Sequence, residues 1–311
     1  MVVLRAEHLT RRYGALTAVD DLTLDVMQGE IFGFLGPNGA GKTTSVNLMC
    51  GLAKPDAGRI LIYGQPVHDG DPEIVAQVGV CPQEIILWDN LTCLEQLEFI
   101  GTLYNMSRRA ARARGEVLLE TVGLADKRHK RARTLSGGMQ RRLNLIMALV
   151  HDPPILVLDE PEAGLDPQSR VLVREYILTL ARQKTIILTT HNMDEAERLA
   201  DRVAIIDHGR LLALDTPTAL KRQAGEGDVL EIGLAVYSPE TGPLLAALRC
   251  ITPDVTLARD TVVLRAPGMI EQLPAVLDAL RACGASAGEI RLRECSLEDV
   301  FISMTGRGLR E

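Results

Sequence analysis

Apolar and polar positions alternate through VVLRAEHLTRRYG and ALTAVDDLTLDVMQGE, the period-two pattern of strands with one buried face. A short apolar run, IFGFLG, then leads through PNGAGKTT into SVNLMCGLAKP. This predicts strand, glycine loop and helix, with Gly51 and Pro55 closing the helix. Residues 58–63 (GRILIY) and 77–80 (QVGV) continue the strand pattern. From about Asn90 to Leu149 the pattern turns helical, with LTCLEQLEFIGTLY and ARARGEVLLETVGL as amphipathic stretches. Strand-like runs return as PILVLDEP, KTIILTTH and RVAIIDHGRLLALD, each expected to be buried on both faces as a parallel sheet requires. Helices are expected between them at 167–182 and 193–200. The alternation is that of an α/β protein with a mostly parallel sheet core, preceded by an N-terminal antiparallel β subdomain.

A boundary is expected at Gly225–Gly227, in KRQAGEGD. It would separate a first domain, 1–225 with a helical subdomain at about 85–150, from a small α+β domain at 228–305. The tail reads as strand (228–236), helix (242–250), strand (255–259), strand (261–266), helix (269–282) and strand (287–293). That βαββαβ order suits a split-βαβ, ferredoxin-like accessory module. In the final SLEDVFISMTG, Ser296 and Asp299 have the spacing of a capping box. The tail carries no glycine loop, carboxylate pair or ligand cluster, so its expected role is structural or dimer-forming.

The 311 residues leave room for two domains and a real core without metal or disulfide staples. A net charge of −7 argues against general attraction to nucleic acid. The basic residues Arg108, Arg109, Arg112 and Arg114, and the cluster KRHKRAR at 127–133, are therefore expected to form a solvated face. The six cysteines form no CxxC pair and are expected to be reduced and mostly buried. No apolar run approaches the roughly 20 residues that span a bilayer, so work at a membrane would need a separate anchor.

GPNGAGKTT at 36–44 fits the phosphate-loop pattern GxxxxGK[ST] in the strand–loop–helix setting that the pattern requires. Gly36, Gly39 and Gly41 let the backbone wrap an anion, and Pro37, Asn38 and Ala40 complete the loop. The helix starting near Lys42 adds its positive end. Lys42 is expected to reach the β/γ-phosphates of ATP, Thr43 to bind Mg²⁺ and Thr44 to contact the α-phosphate. Asp159, ending an apolar strand, would hold the same Mg²⁺ through its water shell. Glu160 follows and would polarise an attacking water, a contribution typically worth about 10²–10⁴-fold.

With CPQE at 81–84, LSGGMQRR at 135–142, GLDP at 164–167 and TTHNMDEAE at 189–197, the chain from residue 1 to about 220 resembles the ATP-binding subunits of ABC transporters. The resemblance implies that Tyr13 stacks on adenine and that Gln83 senses Mg²⁺ and the γ-phosphate. It makes Ser136, Gly137 and Gly138 the signature, Asp166 the D-loop aspartate and His191 the switch histidine at the γ-phosphate. It implies a head-to-tail homodimer in which each signature, with the helix starting near Met139, covers ATP held by the other subunit. One residue departs from the pattern. Glu162 stands where a small or hydroxylated residue is common, and would raise the pKa of Glu160 if both faced the site.

The stretch TTHNMDEAERLADRVAIIDHGRLLALDTP and the ending SLEDVFISMTGRG look most like the ABC-2 exporter ATPases of the daunorubicin-resistance, sodium-efflux and multidrug group. The alternative is an importer ATPase, which would share the core motifs, although many of those carry a tail of several short strands that does not fit the order here. A non-transport ABC ATPase would carry a long coiled-coil insertion or a second cassette. The resemblance thus implies a cytoplasmic ATPase, peripheral on the inner face of the membrane, bound to a separately encoded permease that rests on the region 84–110. An exposed Trp88 would suit that interface, a buried one the core. Substrate contacts are expected on the permease, and nucleic acid is not an expected partner.

Overall fold

The computed structural model describes residues 1–67, 72–181, 183–223, 227–236, 242–258 and 260–305. The chain divides into two compact units, the first ending at Pro217 and the second beginning at Thr218.

In the first unit, β1 (Val2–Tyr13) and β2 (Leu16–Met27) pair as an antiparallel hairpin that buries Leu4, Ala6, Leu9, Leu22 and Leu24. β3 (Ile31–Leu35), buried throughout, runs through the glycine loop into α1 (Lys42–Met49). β4 (Ala57–Ile62) and β5 (Gln65–Pro66) join the hairpin in a sheet of order β2-β1-β4-β5. A short helix, α2 (Pro72–Val75), precedes β6 (Val78–Cys81). The helical region follows as α3 (Cys93–Leu103), α4 (Arg108–Thr121) and α5 (Gly137–Met147). Strands and helices then alternate: β7 (Ile155–Asp159), α6 (Pro167–Ala181), β8 (Thr185–Thr190), α7 (Met193–Leu199), β9 (Arg202–Asp207) and β10 (Arg210–Asp215).

The central sheet has the order β10-β9-β3-β8-β7-β6. Its pairs are parallel except β10 with β9. RVAIIDHGRLLALD is therefore not one doubly buried strand. His208 and Gly209 both take positive φ, which makes the tight turn of a hairpin, and β10 returns as a half-exposed edge. Phe32 and Phe34 of β3 pack with Val157, Ile187 and Ile206, and this cluster continues into Leu4, Leu9 and Val19 of the hairpin sheet.

α3 opens with a capping box between Thr92 and Glu95, and Ser107 caps α4. Arg108 and Arg112 of α4 each donate to Glu98 of α3 at 3.0 Å. Glu98 is 6% exposed, so these two arginines hold a buried carboxylate and are not simply a solvated face.

The division falls after the first residue of α8 (Pro217–Gln223), whose Leu220 is fully buried. The division thus follows packing and falls before the glycines expected at 225–227, of which only Gly227 lies among the described residues. β11 (Asp228–Val236), α9 (Gly242–Arg249), β12 (Asp254–Ala258), β13 (Thr261–Ala266), α10 (Met269–Ala282), β14 (Ser286–Glu294) and α11 (Leu297–Thr305) follow. Arg259, at the end of an expected strand, lies outside the described residues. The sheet order is β12-β13-β11-β14, antiparallel throughout, with Leu230, Ile232 and Leu264 packed on Leu248, Val276 and Leu280 of the helices. At α11 the Ser296 N–H donates to Asp299 at 2.9 Å, and the Asp299 N–H donates back to Ser296 Oγ at 3.4 Å.

Candidate active site

Gly41 stands at φ 99°, where a Cβ would collide with the Ala18 carbonyl oxygen, so only glycine lets the loop turn into α1. Lys42 Nζ is folded back on the loop, donating to Gly36 O at 2.8 Å and Pro37 O at 3.1 Å. Burial lowers its pKa, and the charges of Glu160 and Asp159 oppose that shift. Ala40 is buried and accepts the Gly209 N–H. A cavity of about 390 Å³ opens over the loop. Tyr13, Asn38, Gly39 and the run Gly41–Thr44 line it, with Gln83 and Glu160 opposite. Tyr13 is half exposed, with the Arg11 guanidinium 4.8 Å over its ring. Leu16, Thr17, Ala18 and His208 also line this cavity, brought there by the β1–β2 and β9–β10 turns. No local motif in the sequence marks these four.

Behind the loop, Thr43 Oγ1 donates to Asp159 Oδ2 at 3.2 Å, and Thr189 donates to the other oxygen of Asp159. Glu160 is the point of convergence. Gln83 Nε2 donates to its Oε2 at 3.0 Å, His191 Nδ1 lies 2.8 Å from its Oε1, and Lys42 Nζ is 3.9 Å from the same oxygen. Its backbone is left-handed, at φ 46°, a conformation that non-glycine residues seldom take and that recurs at functional sites. The neighbourhood enforces it: the Glu160 N–H donates to both Thr189 O and Thr189 Oγ1 at 3.1 Å, and its carbonyl is held from Arg141 at 2.7 Å.

Arg141, 2% exposed, has a part that its place in LSGGMQRR did not announce. Its guanidinium donates to the carbonyls of Pro82, Gln83, Asp159, Glu160 and Pro161, all at 2.7–3.0 Å. One planar fork thus joins the Gln83 loop to the end of β7.

Glu162 does not face the site. Arg174 of α6 takes both of its oxygens, at 3.0 and 2.9 Å, so the extra carboxylate is neutralised away from Glu160.

The signature lies elsewhere on the subunit, outside the lining of the phosphate cavity. α5 begins at Gly137, two residues before the expected Met139, with Ser136 as its N-cap accepting the Met139 N–H at 3.4 Å. A Cβ on Gly138 would strike Ser169 Oγ, whereas one on Gly137 would meet nothing within 4 Å among the described residues. Asp166 accepts from Ser169 N–H at 2.9 Å and Ser169 Oγ at 2.7 Å, bonds that lower its pKa and secure the start of α6. The sequence therefore named side chains that one subunit divides between two places.

A phosphate loop on a parallel sheet, with a strained carboxylate at the end of β7, one strand removed from the loop's own β3, defines a P-loop ATPase. A family model described as "ABC transporter" matches residues 19–163. The chain is 41% identical over 305 residues to the Nod factor export ATP-binding protein I of Burkholderia orbicola (strain AU 1054), covering 98% of this chain and 97% of that one. It is 40% identical to the daunorubicin resistance ATP-binding protein DrrA3 of Streptomyces coeruleorubidus, over 95% of this chain and 93% of that one. A solved ATP-binding subunit of an ABC transporter superposes with a TM-score of 0.65 at 30% identity, over 71% of this chain and 92% of its own. The chain belongs to the ATP-binding subunits of ABC transporters, in the ABC-2 exporter group, and is an ATPase that powers an export system.

Proposed function

We propose that hydrolysis is Mg²⁺-dependent and takes place in a head-to-tail homodimer, with Glu160 activating the water and the signature of one subunit closing over ATP held by the other. The observation that carries this reading is Glu160, held between Gln83 and His191 beside Lys42. In this reading Lys42 leaves the loop carbonyls for the β/γ-phosphates, Thr44 meets the α-phosphate and Tyr13 stacks on the base. Thr43 and Asp159 would hold Mg²⁺, with Gln83 beside them, and the bound ion would neutralise charge on the transferring phosphoryl group. Their chemistry fits. Among the described residues no group of three or more His, Cys, Asp or Glu forms a dedicated cage, and Mg²⁺ at nucleotide sites uses one or two protein oxygens plus phosphates and water. His191, bonded to Glu160, would contact the γ-phosphate and report its loss.

Gly137 supports the trans arrangement. Among the described residues of its own subunit nothing lies within 4 Å of a Cβ there, and its helix start faces open space suited to a phosphate from outside. A dimeric bacterial ABC transporter cassette has the same fold, at TM-score 0.63 and 26% identity over 68% of this chain and 98% of its own. Gly138 is a poor probe, since any side chain would strike Ser169. Mixing Lys42→Ala subunits with Gly137→Asp subunits tests the arrangement, because mixed dimers keep one intact composite site. Recovered hydrolysis is expected, and activity no higher than either variant alone overturns the trans reading.

We infer further that the permease docks beside Gln83. A cavity of about 580 Å³ there is mostly apolar and reaches from Thr43 and Asp159 to Ile86, Trp88 and Tyr104. Trp88 is 39% exposed and packs edge-on against the equally exposed Phe99, with ring centroids 5.0 Å apart. An exposed apolar patch of this kind suits a partner surface. No helix among the described residues is long and apolar enough to cross a membrane, so attachment at the inner face would come through that partner.

A further inference from the structure

Glu195 is a carboxyl that the site as described leaves unused. It lies in the first turn of α7, 4% exposed, and its Oε1 has no hydrogen-bond partner among the described residues. Its Oε2 accepts from Thr190 Oγ1 at 2.5 Å. The same Thr190 Oγ1 accepts the Asn192 N–H at 2.9 Å, and Asn192 Oδ1 accepts the Glu195 N–H at 3.2 Å. The ring of bonds closes around the residue before His191 and the residue after it.

We propose that Glu195 is a positioning residue for His191, holding it through Thr190 and Asn192 against Glu160 and toward the γ-phosphate. The inference rests on the role of His191 given above. The imidazole itself is half exposed and, among the described residues, its one bond within the site is to Glu160, so its direction depends on the backbone that carries it. A first-turn acid serving only the helix dipole has no reason to be buried, and Asp194 already supplies an exposed one. Burial pushes the Glu195 carboxyl up to about 7. Glu162 and Glu160 add to that shift, while the Thr190 hydroxyl and Arg174 oppose it. A buried acid kept at such a cost beside a reactive site is the usual mark of a functional group.

The test is ATP hydrolysis by the full chain, with kcat and ATP affinity measured separately. Glu195→Ala and Thr190→Val should each lower kcat about 10- to 100-fold, the scale of a misplaced catalytic group, with ATP affinity within about twofold. Thr190→Ser, which restores the hydroxyl, should return kcat to near the parent value. In a His191→Ala background, Glu195→Ala should cause no further loss, since both act through one imidazole. Losses that multiply in the double variant, or an unchanged kcat in Glu195→Ala, overturn the proposal and leave His191 its role. A His191→Ala chain that hydrolyses ATP like the parent overturns both.

Discussion

Arg141 donates to the main-chain oxygen of Gln83 at 2.8 Å, although the two lie 58 residues apart. The same guanidinium grips Glu160, so the Gln83 loop and the carboxylate proposed to activate water hang from one side chain. Arg141→Lys keeps the charge but offers three donors without a planar fork, leaving at least two of five carbonyls unpaired. It should cost about 1–3 kcal/mol of stability, from the desolvation of unpaired groups. It should also lower kcat. Urea unfolding and ATP hydrolysis on the same preparation check both, and an unperturbed kcat would separate the anchor from the chemistry.

Glu160 and Glu162 are two residues apart and predict opposite phenotypes. Glu160→Gln should lower hydrolysis by about 10²–10⁴-fold while ATP still binds. Glu162→Gln weakens the pair with Arg174 and leaves the bonds to Glu160 in place, and hydrolysis should fall by less than about tenfold, since lost positioning rather than lost acid–base chemistry is at stake. Single-turnover rates for the two variants decide between them.

Glu195 makes stability fall as the solution becomes more basic. Its pKa is about 7 in the folded chain against an ordinary 4.5, so the native state binds the proton more tightly than the unfolded one. Stability from this group is complete below pH 4.5 and declines as pH rises through 7. Glu195→Gln removes the slope, and its stability relative to the parent should rise by about 2 kcal/mol between pH 5 and pH 8. Urea midpoints at the two values measure it. An equal difference at both would show that the carboxyl titrates normally.

Asp299 has the reverse sign. Burial alone would raise its pKa, but hydrogen bonds from Arg293 and Ser296 outweigh that and hold it well below the usual carboxylate range. Its stabilisation is present above pH 3.8, the ordinary value, and is lost as pH falls below it. Asp299→Asn should therefore destabilise the second unit by about 1.5–3 kcal/mol at pH 7, the worth of hydrogen bonds to a charged group, since the Arg293 left behind can reach solvent. The deficit should shrink in acid, followed by urea unfolding at pH 7 and pH 3.

The phosphate loop, Asp159 and Glu160 were legible because they need only neighbouring residues. Glycines at fixed spacing shape the loop, a run of aliphatics makes the strand, and the carboxylates stand where that strand ends. The helix start at Ser296 was local for the same reason, a side chain reaching a backbone group three residues on. What no short stretch contained was direction and distant partnership. Glu162 points to Arg174, Gly138 is kept bare by Ser169, and Arg141 joins two loops that the sheet order brings side by side. His208 reaches the phosphate cavity because a hairpin at the sheet edge turns there. Glu195 stands in the sequence as an ordinary helix-start acid until α7 packs it inward against the Thr190 hydroxyl. Spacing along the chain determined which groups could do the chemistry. The packing of strands and helices decided which of them meet, because burial and hydrogen-bond direction are properties of the folded neighbourhood and not of the local sequence.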